Sequence, residues 1–256
     1  MTLLLRIIIG MIVPIHNRIV YLIAYGPWGS FVHRILISGF RKLYKIEDEP
    51  IASHKKLGQY FLRSRDIFIS SSALVSPTES TCMEGPAKIN LNSTISIKSI
   101  DYNWQEFFEF QDSWKSSNFW NLYLAPNDYH WVHSPCEAEH WEACRVPGKT
   151  YPVNALGRRL IPHLYLENER LSFRTQHPQL GWVHVLCVGA MGVSRMPTPF
   201  GQFSERKWSK IDQTIKKGAA LAAFQLGSSV LLIVEKNPQN PLGLSSPSLK
   251  VGEALV

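Results

Sequence analysis

Gln225-Leu226-Gly227-Ser228-Ser229-Val230-Leu231-Leu232-Ile233-Val234 is a Gly-Ser step that opens onto an unbroken apolar run. Such a stretch encodes a turn followed by a short strand. Gly and Ser favour tight turns, and Val and Ile favour the pleated surface of a sheet. The step lacks the Gly-x-Ser-x-Gly spacing of a nucleophile elbow. The same texture extends back to about residue 68. Residues 67–69, 95–100, 121–124, 171–174 and 182–188 are short runs divided by Pro, Gly, Ser and Asn, and each is predicted as a strand. Residues 104–120 are expected to form one helix among them. The stretch after Asn237 is rich in Pro, Gly and Ser and is expected to be a loosely attached extension.

The first 50 residues read differently. Pro27-Trp28-Gly29 divides a first helical region from a second at residues 31–44, where Leu36, Phe40 and Leu43 give an apolar face. Glu47-Asp48-Glu49-Pro50 marks a boundary, and residues 55–62 read as a further short helix. The predicted class is α+β: N-terminal membrane-associated helices followed by a mostly antiparallel β core. The expected division is a helical segment at 1–50, a catalytic core at 51–236 and an extension at 237–256.

Charge sharpens this division. Of 27 Lys and Arg residues, six fall within the first 45 positions, where no Asp or Glu occurs. Elsewhere 21 basic groups face 20 acidic ones, so residues 1–45 carry six of the seven excess positive charges. A basic, apolar, acid-free segment suits the headgroup region of an anionic membrane, and a peripheral position on the cytoplasmic face is expected. A core helix whose basic side chains snorkel is the competing reading. A signal peptide fits less well, because no basic start precedes the apolar run and no small-x-small site follows it. No run of about twenty uncharged apolar residues is present, which argues against a conventional bilayer-spanning helix. The basic residues are isolated among apolar ones, unlike a nucleic-acid-binding patch. At 45% apolar and 18% charged residues, the 256-residue chain is composed to fold around a core. Cys82, Cys136, Cys144 and Cys187 are too few and scattered for a disulfide scaffold.

Three clusters carry candidate chemistry. Asn127-Asp128-Tyr129-His130-Trp131-Val132-His133-Ser134-Pro135-Cys136 sets two histidines three apart beside an aspartate, a pattern suited to acid and base work. With His140 and Cys144 the same residues offer zinc-type donors, but their spacings match no closed zinc module, and no metal is expected. The Gly227-Ser228 step is the second cluster. Glu167-Asn168-Glu169-Arg170 is the third, and taken alone it reads as a solvated hairpin loop.

Taken in order, these pieces resemble the phosphatidylserine decarboxylase family, from about Pro14 to Glu235. Leu122-Tyr123-Leu124-Ala125-Pro126-Asn127-Asp128-Tyr129-His130-Trp131-Val132-His133-Ser134-Pro135 resembles the family's L-x-P-x-D-Y-H-R-x-H-x-P stretch. Tyr151-Pro152-Val153-Asn154 resembles F/Y-S-V-N, and Leu166-Glu167-Asn168-Glu169-Arg170 its N-E-R turn. Val188-Gly189-Ala190-Met191-Gly192-Val193 resembles V-G-A-x-x-V-G-S. Lys217-Gly218, then Phe224-Gln225-Leu226-Gly227-Ser228-Ser229, resembles K-G-x-E-x-G-x-F-x-x-G-S-T.

The resemblance implies a pyruvoyl-dependent, self-processing carboxy-lyase. The precursor would cut itself between Gly227 and Ser228, with the Ser228 hydroxyl as nucleophile and His133 as its base. Glu79 would orient His133, as an acid does in serine-histidine-acid sets. Elimination and hydrolysis would then leave a covalent pyruvoyl group derived from Ser228. A small chain of residues 228–256 would stay with a large chain of residues 1–227. The pyruvoyl ketone would form a Schiff base with phosphatidylserine, and His130 would serve as acid and base in decarboxylation to phosphatidylethanolamine. Family members also suggest a homodimer. The departures gather near the reaction: Glu79-Ser80 stands where the family has Asp-Gly, Ser229 replaces threonine, and Trp131 replaces arginine. Ala220 and Ala222 replace glutamate and glycine, and Arg195 follows Ser194 where the family's Gly-Ser pair would end. An inactive lipid-binding relative, or a decarboxylase of another serine-headgroup lipid, are the alternatives.

Overall fold

The computed structural model describes residues 2–46, 54–90, 94–97, 100–103, 116–153, 155–161, 163–192, 196–225, 228–236 and 247–255. Two helices, α1 (Thr2–Tyr25) and α2 (Ser30–Tyr44), precede a short α3 (Leu57–Phe61). Twelve strands follow among the described residues: β1 (Ser80–Asn90), β2 (Thr94–Ile97), β3 (Ile100–Asn103), β4 (Ser116–Leu124), β5 (Trp131–His133), β6 (Trp141–Val146), β7 (Arg170–His177), β8 (Gly181–Gly189), β9 (Ser209–Ile211), β10 (Ala220–Ala223), β11 (Ser228–Val234) and β12 (Ser248–Leu249). Short helical turns at Ala155–Leu160 and Leu164–Glu167 interrupt them.

Eight strands form one sheet in the order β12-β1-β4-β11-β8-β7-β6-β9, and every ladder between strands is antiparallel. β10 pairs with β5, and β2 with β3. The α+β class therefore holds. β11 lies inside the sheet because it is apolar on both faces. Val230, Leu232 and Val234 join one core cluster with Leu122, Val185 and Phe173, while Leu231 and Ile233 join another with Phe119, Leu186 and Val188. A run without alternation is what a doubly covered strand requires. Burying each such side chain contributes roughly 1.5–3 kcal/mol, so β11 is a main source of cohesion.

α1 covers part of the second cluster. Val13, Asn17 and Ala24 are buried on one stripe, and Ile8, Met11, Ile12, Ile15, Ile19, Leu22 and Ile23 are exposed on the opposite one. The helical period places these two stripes back to back. Asn17 fixes the register: its Nδ2 donates to Thr150 Oγ1 at 2.6 Å, and its Oδ1 accepts from Gly192 N at 2.7 Å. By length and composition, residues 8–25 suffice to cross a membrane. Arg18 divides this stretch, so no uncharged run of about twenty apolar residues occurs, but the 18-residue window carries that single charge.

α3 binds the helices to the core. His33, buried, meets Gly26 O through Nε2 at 3.2 Å and accepts Leu57 N on Nδ1 at 3.3 Å. Lys56 Nζ donates to Tyr25 O at 2.9 Å, and the Tyr25 hydroxyl to Gly58 O at 3.2 Å. A side chain at residue 58 would collide with the Tyr25 ring, so this contact requires glycine. The core-facing side of α2 carries His33 and Ile37, whereas Leu43, expected there, is 72% exposed.

Three other expectations are corrected. Residues 67–69 form no strand. Residues 116–120 belong to β4, so the expected helix at 104–120 does not include them; 104–115 lie outside the described residues. The far end of the chain is docked, not loose. β12 pairs with β1, Ser76 N donates to Glu253 O at 2.7 Å, and Leu249, Val251 and Leu255 are buried. Alternate apolar residues among the polar ones supply that anchorage.

Candidate active site

Three strand ends meet at Ser228. It opens β11 and pairs with Leu124 at the end of β4 and Gly189 at the end of β8. Gly227 lies outside the described residues. The approach to this point runs along the histidine strand, since β10 pairs Ala220 with His133 and Ala223 with Trp131, and Phe224 N donates to His130 O at 2.9 Å. Ser228 and Ser229 are wholly buried, and their hydroxyls have no hydrogen-bond partner among the described residues.

His133 is held at both ring nitrogens. Nδ1 donates to Gly218 O at 2.7 Å, which leaves Nε2 as an acceptor for the Tyr129 hydroxyl at 3.2 Å. Gly218 adopts φ +80°, and a side chain there would also run into Ile69, so this carbonyl is presented by a position suited to glycine. Burial lowers the His133 pKa against the opposing pull of the Gly218 hydrogen bond, which keeps the imidazole neutral. His130 is completely buried. Its Nδ1 donates to Asp128 O at 2.8 Å, the Phe61 ring lies 4.1 Å from its own, and Nε2 has no hydrogen-bond partner among the described residues. Burial pushes the His130 pKa down to about 3, and the nearby Arg63 charge works in the same direction.

Glu79 does not touch His133. Its carboxylate pairs with Arg65, whose guanidinium stands 5.0 Å from the centre of the Tyr129 ring. Tyr129 in turn stacks on His133 with ring centres 5.6 Å apart. Among the described residues the acid expected to orient His133 pairs with Arg65, while the Gly218 carbonyl and the Tyr129 hydroxyl contact the imidazole directly. Asp128 caps the turn between β4 and the histidines by accepting Ala125 N at 2.7 Å. Burial pushes its carboxyl pKa up, against that hydrogen bond and the charges of Arg65 and Arg63. Trp131, in the position of the family's arginine, donates from Nε1 to Leu62 O at 3.0 Å and ties the histidine strand to α3.

The phosphatidylserine decarboxylase family model matches residues 55–256, most of the chain. The chain belongs to this family. A phosphatidylserine decarboxylase proenzyme of Helicobacter pylori strain J99 is 27% identical over 93% of this chain and 95% of its own length. Those of Brevibacillus brevis and Hamiltonella defensa are 28% and 30% identical over 80% of this chain, and over 80% and 79% of their own lengths. The membership covers the docked end of the chain, which the motif reading had left out beyond Glu235.

The pyruvoyl group that phosphatidylserine decarboxylases imply fits this site. It would be made from Ser228 itself, and that hydroxyl is buried without a competing hydrogen-bond partner among the described residues. Among the described residues no three His, Cys, Asp or Glu side chains come together to hold a metal ion. Cys136 and Cys144, offered as donors by the sequence, are buried thiols, and burial pushes Cys136 up to about 12.

The N-E-R turn of the phosphatidylserine decarboxylase pattern is not a solvated loop. Asn168 is wholly buried; it accepts Tyr151 N on Oδ1 and donates from Nδ2 to Tyr151 O and Gly189 O, each at 2.8 Å. It fixes the strand end that pairs with Ser228. Arg170 is buried too and donates to the carbonyls of Leu166 and Asn168. Both side chains are held by backbone groups, and no sequence pattern displays such partners. Tyr129, Arg63 and Arg65 acquire their roles from contacts made in the fold, with His133, Asn127 O and Glu79 respectively.

Proposed function

We propose that the chain is a phosphatidylserine decarboxylase precursor that cuts itself between Gly227 and Ser228 and uses the pyruvoyl group so formed to make phosphatidylethanolamine. The observation that carries this reading is the Ser228 hydroxyl, buried in the fold without a hydrogen-bond partner among the described residues. An unsatisfied buried hydroxyl costs about 1–3 kcal/mol, a burden that chemistry at that atom explains. The proenzyme names of the relatives support it.

His133 supplies the base. With Nδ1–H fixed on Gly218 O, its lone pair lies on Nε2, and its lowered pKa keeps that pair available near neutrality. Nε2 takes the Ser228 Oγ proton as Oγ bonds to the Gly227 carbonyl carbon. The Gly227–Ser228 C–N bond breaks, the proton passes to the departing nitrogen, and an ester replaces the amide. Tyr129 holds Nε2 in place beforehand, and Glu79 steadies this arrangement through Arg65. A pyruvoyl carbonyl supplies the electron sink for loss of carbon dioxide from an amine bound to it. In this reading His130, beside the Phe61 ring, is the candidate for the proton transfers of decarboxylation.

The helices bring this site to the lipid. Met11, Phe31 and Leu43 are 67%, 74% and 72% exposed, and the surrounding charges are all basic. An apolar face with Arg18, Arg34 and Lys42 suits the anionic cytoplasmic leaflet. One observation favours the second reading, a non-catalytic relative: Glu79 pairs with Arg65 rather than with His133. Intact mass decides between them. A chain that matures yields two fragments, the smaller being residues 228–256 with a pyruvoyl-blocked N-terminus. A species that stays at 29.1 kDa for days refutes self-processing.

A further inference from the structure

A cleft of about 540 Å³ lies between the helices and the site, lined by Tyr25, His54, Lys55, Gly58, Arg63 and Gln225 among others. One rim is Tyr25, at the end of the helix whose outer face is apolar and exposed. The other is Gln225, two residues ahead of Gly227. Among the described residues its lining contains no Asp or Glu. Arg63 is only 4% exposed. Its Nη2 donates to Asn127 O at 3.0 Å, and its guanidinium lies 5.4 Å from the centre of the Tyr60 ring. These contacts fix a planar, permanently charged fork inside a cleft, two residues beyond the Phe61 ring that covers His130. Lys55 stands at the exposed mouth.

We propose that this cleft is a phosphodiester-binding site, in which Arg63 and Lys55 hold the phosphate of the lipid headgroup. The identity of the ligand rests on the phosphatidylserine reading above. The order of groups in such a lipid supports the placement. From the bilayer outward come acyl chains, glycerol, phosphate and serine. The acyl chains belong beside the exposed face of α1 and the serine amine beside residue 228, so the phosphate falls between them, where Arg63 stands. A guanidinium matches a phosphate's paired oxygens, and the surrounding protein strengthens the contact relative to water.

The test is equilibrium binding to the full-length chain in detergent, with glycerophosphoserine and inorganic phosphate as separate probes. The proteins are wild type, Lys55→Gln and Arg63→Gln. Thermal melting shows whether each is folded, and Lys55, being exposed, keeps the test valid if Arg63→Gln does not fold. Glycerophosphoserine is expected to bind, inorganic phosphate to compete with it, and each substitution to weaken both about tenfold. Unchanged binding in a folded variant, or no binding of either probe to wild type, overturns the site. Binding of phosphate without glycerophosphoserine overturns the lipid assignment. Carbon dioxide release from phosphatidylserine, measured in parallel, separates the two readings. Headgroup binding without release defeats the decarboxylase reading alone; release with unaltered binding in the variants defeats this site alone.

Discussion

Glu79→Gln asks whether a carboxylate orients the base. Were Glu79 the direct partner of His133, its loss would remove most of the base's effect, a factor of about 10²–10⁴ in rate. The structure gives a smaller figure. Glu79 bonds to Arg65, and the two side chains are 22% and 33% exposed, so solvent screens the pair. A pair of this kind contributes about 0.2–1 kcal/mol. Even if all of it were lost at the transition state, the rate would fall only about 1.4- to 5-fold. His133 would keep Gly218 O at 2.7 Å and the Tyr129 hydroxyl at 3.2 Å. The assay is freshly synthesised chain sampled for intact mass against time. Glu79→Gln is expected to reach full cleavage with a half-time lengthened by less than about fivefold. A variant still whole when wild type is fully cut would refute the reasoning and restore Glu79 as the orienting acid.

Tyr129→Phe removes the hydroxyl on His133 but keeps the stacked ring. One hydrogen bond is worth about 1 kcal/mol, so cleavage in the same time course should slow about fivefold, with wild-type kinetics counting against the contact. Asn168→Ala strips three backbone groups of a buried partner. The loss should reach about 3 kcal/mol or more, and a denaturation midpoint near wild type would show that water replaces the side chain. Burial lowers the pKa of His130, His133 and His184 below 6.5. Below that pH the unfolded chain binds protons that the folded chain refuses. Stability should therefore be full above about pH 6.5 and fall on acidification, with His130 alone contributing about 1.4 kcal/mol per pH unit between its folded and unfolded pKa; denaturant titrations unchanged between pH 7.5 and 5 would contradict this. Phe31→Asp with Ile35→Asp places charge on exposed positions of α2. Sedimentation with anionic vesicles should drop severalfold while the melting temperature holds, and undiminished sedimentation would remove that face from the membrane contact.

The sequence displayed what short-range chemistry controls. Val230 to Val234 read as a strand because both its faces are buried, and Pro27-Trp28-Gly29 read as a break because the chain turns there. β1 escaped notice: Glu84, Gly85 and Pro86 interrupt its pattern, and the strand takes them up as irregularities opposite Asn121 and Phe119. The expected helix at residues 104–120 failed over 116–120 because its aromatic residues there, Phe119 and Trp120, serve the two faces of a sheet. His130, His133 and Ser228 could be singled out from motif order. Their neighbours could not, since Gly218 offers only a carbonyl and Glu79 is drawn off by Arg65. The charged look of Glu167 to Arg170 was misleading because Asn168 and Arg170 turn inward to backbone groups of the fold.

β11 has neighbours along its whole length, Leu124 to Asn118 on one side and Gly189 to Val183 on the other. A cut ahead of Ser228 would leave this strand, and β12 at the sheet's far edge, on a piece detached from the rest of the backbone. The uncut chain assembles its sheet by a unimolecular search. A matured molecule, once denatured, would have to recover by collision between two polypeptides, with the high effective concentration of a tether gone. Its renaturation yield would then depend on dilution, whereas that of the precursor would not, and a single peptide bond would separate a unimolecular folder from a bimolecular one.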